Sequence, residues 1–175
     1  MELLIEIAGI LCMAVKYGQG EIGRTKLQKM VYFINKYLSL NINDFRLHHY
    51  GPYSPNVSAA LKTITNSFLT ENDAVFGYSY KLTADGQLFL DYFENALNDL
   101  DKRNKIERMV KKLSSYSKEQ LELLSTMEFV ENNNENISNE EVFELVSNIK
   151  TKSIEEVRSM NETLLNLKSD IMVNA

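Results

Sequence analysis

Few residues of this 175-residue chain have the type and spacing for chemistry. His48-His49 is the only histidine pair. On a strand, adjacent side chains point to opposite faces, so one ring is expected inward and one outward. Two such rings cannot share one metal ion, and no Cys or carboxylate stands at ligand spacing around them. Cys12 falls between Leu11 and Met13 on an apolar segment, which reads as a buried structural thiol. Nothing nearby in sequence would lower its pKa. The acidic pairs Glu140-Glu141 and Glu155-Glu156 sit where helices begin, and there they favour the positive end of the helix dipole. They read as caps and not as a general acid and base. No serine stands in a nucleophile elbow. There is no phosphate loop and no GxGxxG. Gly18, Gly20 and Gly23 are loosely spaced and follow a helix, whereas a dinucleotide turn follows a strand. The expectation is a protein without catalysis, metal or cofactor.

Recognition is a better match than catalysis. His49-Tyr50-Gly51-Pro52-Tyr53-Ser54-Pro55 combines two prolines, a glycine and two tyrosines. Such a turn is rigid, and Tyr supplies contact area at low entropic cost. The same tyrosines could instead buttress the turn from within. Residues 16–62 hold seven basic residues against Glu21 and Asp44, in a chain of formal net charge -5. Of these, Lys26, Lys29 and Lys36 lie off the apolar stripe of their helix. A second polar face is Asn56, Ser58, Lys62, Thr63 and Asn66. Asn and Lys can read base edges in a major groove. Lys62 is the only cation between residues 47 and 80, however, and a solvated face accounts for the same residues.

The elements that must hold these residues follow from periodicity. A first helix is expected over 2–17, ending in a Gly18-Gln19-Gly20 break. The apolar run Ile7 to Val15 is nine residues, short of the ~20 of a membrane span. It has no positive flank and no cleavage site. A second helix is expected over 25–39, with Thr25 and Gln28 at capping-box spacing. Leu27, Val31, Ile34 and Leu38 form its stripe. An extended piece, Phe45 to Tyr50, leads into the turn. A third helix starts with Ser54 as N-cap and Pro55 in the first turn. Its stripe is Val57, Leu61, Ile64 and Phe68. Phe76 to Leu82 reads as a half-buried strand, with Tyr78 and Tyr80 alternating. Thr83 then caps a fourth helix, with Leu88, Tyr92, Phe93 and Leu97 inward. This order is close to a winged helix, with little length for a full wing. Capping-box spacings at Ser117–Gln120, Ser138–Glu141 and Ser153–Glu156 predict helices over 102–114, 118–131, 139–150 and 154–171.

Composition agrees with two parts. All seven glycines and both prolines precede residue 87. The fold class expected is mainly α: a winged-helix-like module with one or two short strands over 1–100, then an α-helical extension over 101–175. Hydrophobic residues make up 44% and charged residues 25%, which excludes a disordered or collagen-like chain. A single cysteine suits a reducing compartment, so the cytoplasm is expected.

Thr25-Lys-Leu-Gln-Lys-Met-Val-Tyr-Phe33, followed by His49-Tyr-Gly-Pro-Tyr-Ser-Pro55, resembles the SocA-like, phage-associated antitoxin family and its Panacea domain. Tyr80-Lys-Leu-Thr-Ala-Asp-Gly86 is similar to the strand-to-helix junction of that module. The resemblance covers about residues 5–97 and is nearer to an uncharacterised branch than to SocA itself. It implies a small, mostly helical, non-catalytic protein that neutralises a toxin encoded by a neighbouring gene, by direct binding. With the rigid turn, it places partner contact at Tyr50, Gly51, Pro52 and Tyr53, with Lys26, Lys29 and Lys36 attracting an acidic surface. The C-terminal helices could serve dimerisation. The alternative is a winged-helix DNA-binding regulator reading DNA through Asn56, Ser58, Lys62, Thr63 and Asn66. No membrane association is expected.

Overall fold

The structure, a computed structural model, describes residues 3–18, 22–74, 77–97 and 100–173. It is mainly α-helical. The chain runs through α1 (Leu3–Tyr17), α2 (Arg24–Leu38), a hairpin of β1 (Arg46–His48) and β2 (Gly51–Tyr53), and α3 (Pro55–Ile64). A second hairpin follows, β3 (Leu69–Ala74) with β4 (Gly77–Leu82), then α4 (Ala84–Ala96). The remaining helices are α5 (Leu100–Ser114), α6 (Lys118–Asn132), α7 (Asn139–Lys150), α8 (Ile154–Ser159) and α9 (Asn161–Val173). Glu2 at the expected start of the first helix, Gln19 and Gly20 of the expected break, and Phe76 of the expected strand lie outside the described residues. No described helix is long and apolar enough to cross a membrane.

α2 is the centre of the molecule. Lys26 to Ile34 are buried without interruption. A helix buried around its whole circumference needs neighbours on every side. α1 and α3 cover one side, while α5 and α6 cover the other. Leu27, Met30 and Phe33 are fully enclosed, each contributing about 1.5–3 kcal/mol by leaving water. One hydrophobic cluster joins Ile10 and Phe33 to Leu124, Val157, Leu164 and Leu167. The core therefore runs across residue 100 without a break. Cys12 is fully buried within it, and burial pushes its thiol up to about 12.

Several local expectations hold. Ser54 caps α3, its hydroxyl accepting the Val57 N–H, and Pro55 opens the helix. Thr83 caps α4 by accepting the Gly86 N–H. Ser117 and Ser138 form full capping boxes with Gln120 and Glu141. Ser153 caps α8. The third and fourth helices are linked by a wing-like hairpin, so the helix–hairpin order of a winged helix is present.

Other expectations are corrected. Four strands form two hairpins, where one or two strands were expected. β3 was hidden because Thr70, Glu71, Asn72 and Asp73 carry no apolar alternation; its backbone pairs with β4 from Leu69↔Leu82 to Ala74↔Gly77. Tyr80 is buried but Tyr78 is exposed. On α4, Leu88 and Tyr92 are 68% and 71% exposed, not inward. Phe93 is buried as expected, and Leu90 joins it in the core. The last expected helix breaks at Met160 into α8 and α9. The Thr25–Gln28 capping box does not form, because α2 starts one residue earlier with Gly23 as N-cap and no side-chain cap.

Gln28 has a different task. Its carboxamide oxygen accepts the Ser54 N–H at 3.0 Å, and its amide donates to the Ser54 carbonyl at 3.1 Å. Both bonds are buried. They clamp the start of α3 to α2. Asp44 completes the clamp: it accepts the Ser54 hydroxyl at 2.5 Å and the Asn56 N–H at 2.8 Å. Gln28→Leu should leave the buried Ser54 N–H unpaired, since the Ser54 carbonyl keeps the Ser58 N–H at 3.1 Å, and lower unfolding stability by about 1–3 kcal/mol. Urea denaturation checks this. A loss indistinguishable from zero would show that Ser54 is held by other means.

Candidate functional site

The turn between β1 and β2 is held from beneath by groups remote in sequence. Register pairs His48 with Gly51 and leaves His49-Tyr50 as the two-residue loop. Gly51 adopts φ +94°, a conformation that L side chains rarely take. A β-carbon there would lie 2.6 Å from Thr126 Oγ1 of α6 and 3.3 Å from the Glu122 carbonyl. Glycine thus serves both the backbone shape and the close approach of the strand to α6. Gly51 and Pro52 are buried, whereas Tyr53 is half-buried and Tyr50 is exposed.

Below the turn lies Lys29. It is 2% exposed, and its ammonium donates to the Pro52 carbonyl at 2.6 Å. Among the described residues that is its one hydrogen bond, so two of its three N–H donors lack an acceptor. Burial drives its pKa down to about 8; Glu122 opposes the shift, and Lys150 adds to it. Lys150 of α7 reaches Glu122 at 3.6 Å, and its ammonium also lies 3.4 Å from the His49 carbonyl. Glu122 Oε1 is buried and has no hydrogen-bond donor. Buried Lys29 and half-buried Glu122 and Lys150 therefore form a cluster of net charge +1 that joins α2, the β1–β2 hairpin, α6 and α7.

Lys26 follows the same rule one turn earlier. It is buried, donates to the Ser114 carbonyl at 2.6 Å, and burial lowers its pKa. The expectation that Lys26 and Lys29 present charge to a partner's surface is corrected by this. Amphipathic periodicity put them off the stripe, but α5 and α6 close over that face. Lys36 alone of the three is exposed.

Beside the turn is a cleft of about 340 Å³. Its walls are Arg24, Thr25, Gln28 and Lys29 of α2, and His48, Tyr50, Gly51 and Tyr53 of the hairpin. Among the described residues no carboxylate lines it. Arg24 is engaged by Glu71 at 3.3 Å and by the Tyr80 hydroxyl at 3.4 Å, which ties α2 to the second hairpin. Tyr80 in turn donates to Glu71 at 2.6 Å. The tyrosine hydroxyls of residues 50 and 53 and the His48 ring make no hydrogen bond within the described chain. His48 lies against Tyr53 with centroids 5.5 Å apart, and His49 meets Tyr50 edge-on at 4.8 Å. Both histidines are exposed, contrary to the inward–outward expectation, because His49 belongs to the loop and β1 is exposed along its length. No group of three or more potential metal ligands is assembled among the described residues.

Tyr50, Gly51, Pro52, Tyr53 and Lys29 thus meet at one place, and Lys26 and Lys36 do not join them. On α3, Asn56, Lys62 and Thr63 are exposed and Ser58 is half-buried. Asn66 is not on that helix: α3 ends at Ile64, and Asn66 sits at φ +70° in the following turn. Sequence reasoning missed Arg24, Thr25 and Gln28 as cleft walls, and Thr126, Glu122 and Lys150 as supports. Gln28 and Arg24 were legible as neighbours of the Lys-Leu-Gln-Lys run. The three supports lie some 70–100 positions away and carry no local signal.

Two outcomes test this construction. Gly51→Ala should destabilise through left-handed strain of about 1–2 kcal/mol and through overpacking of about 1–3 kcal/mol against Thr126. Adding Thr126→Ala should recover the second part and not the first, as read from denaturation midpoints of both variants. Lys29 gives the pH test. Its amine titrates near 8 when folded and at its ordinary 10.5 when free. Between those values the unfolded chain holds more protons, so this group makes stability rise with pH across the window. Lys29→Met should remove a rise on the order of 3 kcal/mol. Denaturation of both proteins at pH 7 and pH 10 measures it, and parallel responses would refute the assignment.

No protein-family model matches the chain. Over 141 residues it is 32% identical to the uncharacterised protein YwgA of Bacillus subtilis (strain 168), an alignment covering 77% of this chain and 81% of YwgA. At this identity and extent the chain belongs to the YwgA family.

Proposed function

We propose that the chain is a non-catalytic protein-binding module of antitoxin type, working in the cytoplasm, that neutralises a cognate toxin by direct binding. The observation that carries this reading is the β1–β2 turn. Buried bonds from Lys29 and the tight fit of Gly51 on α6 fix its backbone. The side chains of its outward groups, Tyr50, His48 and the edge of Tyr53, make no hydrogen bond among the described residues. A preformed surface with exposed aromatic groups loses little freedom on binding. Tyr is enriched among residues that dominate binding energy. The resemblance of the Lys-Leu-Gln-Lys and Tyr-Gly-Pro segments to the Panacea module supplies the antitoxin part of the reading.

A second reading is a DNA-binding regulator. The order α3, β3, β4 favours it, because a helix followed by a hairpin is how a winged helix meets a groove. The exposed face of α3 has one cation, Lys62. Affinity for DNA rests on phosphate neutralisation by several Lys and Arg, so this reading ranks second.

Expression in a bacterial host separates the two. The open reading frame beside the gene is expressed alone, together with this chain, and together with a Tyr50→Ala/Tyr53→Ala variant. Growth arrest by the neighbour, rescue by the wild-type chain, and binding weakened about tenfold or more in the variant are the expected results. A toxic neighbour that the chain does not rescue would count against neutralisation. Binding to the gene's own promoter, with affinity falling steeply as salt rises, would put the DNA reading first.

A further inference from the structure

We infer that the cleft between α2 and the β1–β2 hairpin is a receptor for a single carboxylate, presented by an acidic side chain or the C-terminus of a protein partner. The inference deepens the protein-binding reading above and rests on it. Its first support is charge. Lys29 is buried, Glu122 and Lys150 beside it are half-buried with side chains 14% and 8% exposed, and the three together carry net charge +1. An uncompensated charge in such a place is costly, and one monoanion in the cleft would cancel it.

The second support is hydrogen bonding. Lys29 forms one wall of the cleft and donates to Pro52 alone, so two N–H groups await acceptors. A polar group as enclosed as this ammonium is ordinarily paired. The Tyr53 and Tyr50 hydroxyls and the Thr25 hydroxyl stand around the same space with no partner in the described chain. An oxyanion there would meet a charge-assisted donor and neutral ones together. The third support is what the cleft lacks. Among the described residues it has no lining carboxylate to repel an anion, and Arg24 is already paired with Glu71. A phosphate dianion calls for a cluster of arginines or a nest of backbone amides. The available charge suits a monoanion.

Binding should take up a proton when Lys29 starts neutral. The groups facing its ammonium are Glu122 of α6, Lys150 of α7 and the Pro52 carbonyl of β2, while Arg24 and His48 stand further along the walls. With the amine titrating near 8 in the empty cleft, affinity for a carboxylate should fall about tenfold between pH 7 and pH 9.

The test uses the full chain and defined probes. N-acetylated Gly-Gly-Tyr-Gln with a free C-terminus, which carries one carboxylate, is titrated by two-dimensional NMR, next to the same peptide amidated at its end, next to N-acetylated, amidated Gly-Gly-Tyr-Glu, whose carboxylate is on the side chain, and next to inorganic phosphate. The expected result is millimolar binding of a charged peptide, with shifts confined to residues 24–29 and 48–53. The neutral peptide should bind at least tenfold more weakly, and the charged one should weaken about tenfold by pH 9. Lys29→Met should abolish the preference for the charged peptide. Should that variant fail to fold, Tyr53→Phe, which keeps the ring and removes one donor, should still weaken the charged peptide alone. Equal binding of charged and neutral peptides, no binding, or phosphate binding more tightly than carboxylate would each overturn the proposal. The growth experiment is independent of the peptides. A chain that rescues growth but ignores carboxylates retains the protein-binding reading and loses this site.

Discussion

Two ammonium groups pointing inward from α2 set the terms for the whole molecule. Lys26 and Lys29 are enclosed, and each donates to one backbone carbonyl, Ser114 at the end of α5 and Pro52 in β2. Removing an ammonium from water costs several kcal/mol even after relaxation. That cost is offset only if the carbonyls, and Glu122 beside Lys29, stay in place. The position of the α5 end, the β1–β2 hairpin and α6 relative to α2 is therefore not free to vary. A helix that read as amphipathic is the central rod of the fold, and the helices after residue 100 close its charged side.

This constraint explains why the turn is rigid although it is exposed. Its stiffness does not come from proline alone. Pro52 fixes one dihedral, while its carbonyl is pinned by Lys29, its neighbour Gly51 fits against Thr126, and Ser54 is clamped by Gln28 and Asp44. Three segments of the chain thus converge on four residues. Support of this kind is what keeps a recognition surface in one conformation before its partner arrives.

The fold was legible in the sequence where local chemistry decides it. Ser54, Thr83, Ser117, Ser138 and Ser153 mark helix starts through hydroxyl-to-amide bonds, and all five marks are correct. Local chemistry failed where tertiary cover decides. Lys29 and Leu88 are the clearest pair: the lysine was read outward and is 2% exposed, and the leucine was read inward and is 68% exposed. Periodicity assigns faces but does not say which face a distant helix will cover. The site shows the same division. Tyr50 to Tyr53 stood out by composition, because glycine and proline between tyrosines are uncommon. Glu122, Thr126 and Lys150 could not, since a carboxylate on an amphipathic helix looks the same in solvent and beneath a lysine.

The buried charge also bears on the choice between the two functional readings. A protein that grips DNA places its cations outward, where they displace counterions from the phosphates. This chain turns two of the four cations of α2 inward and leaves Arg24 and Lys36 exposed. Of Lys26, Lys29 and Lys36, two are enclosed and held by carbonyls, and α3 adds only Lys62. The +5 stretch seen in the sequence is therefore not a +5 surface. Lys16, Arg24, Lys36, Arg46 and Lys62 of that stretch stay exposed, and beside them lies a small cleft with one enclosed, incompletely bonded ammonium and a rim of tyrosine and histidine. Such a site is too narrow for a duplex and lacks the extended row of charges a nucleic-acid backbone requires. Its size and single charge suit one anionic group held against aromatic walls, and a protein chain can offer such a group without exposing a hydrophobic interface of its own.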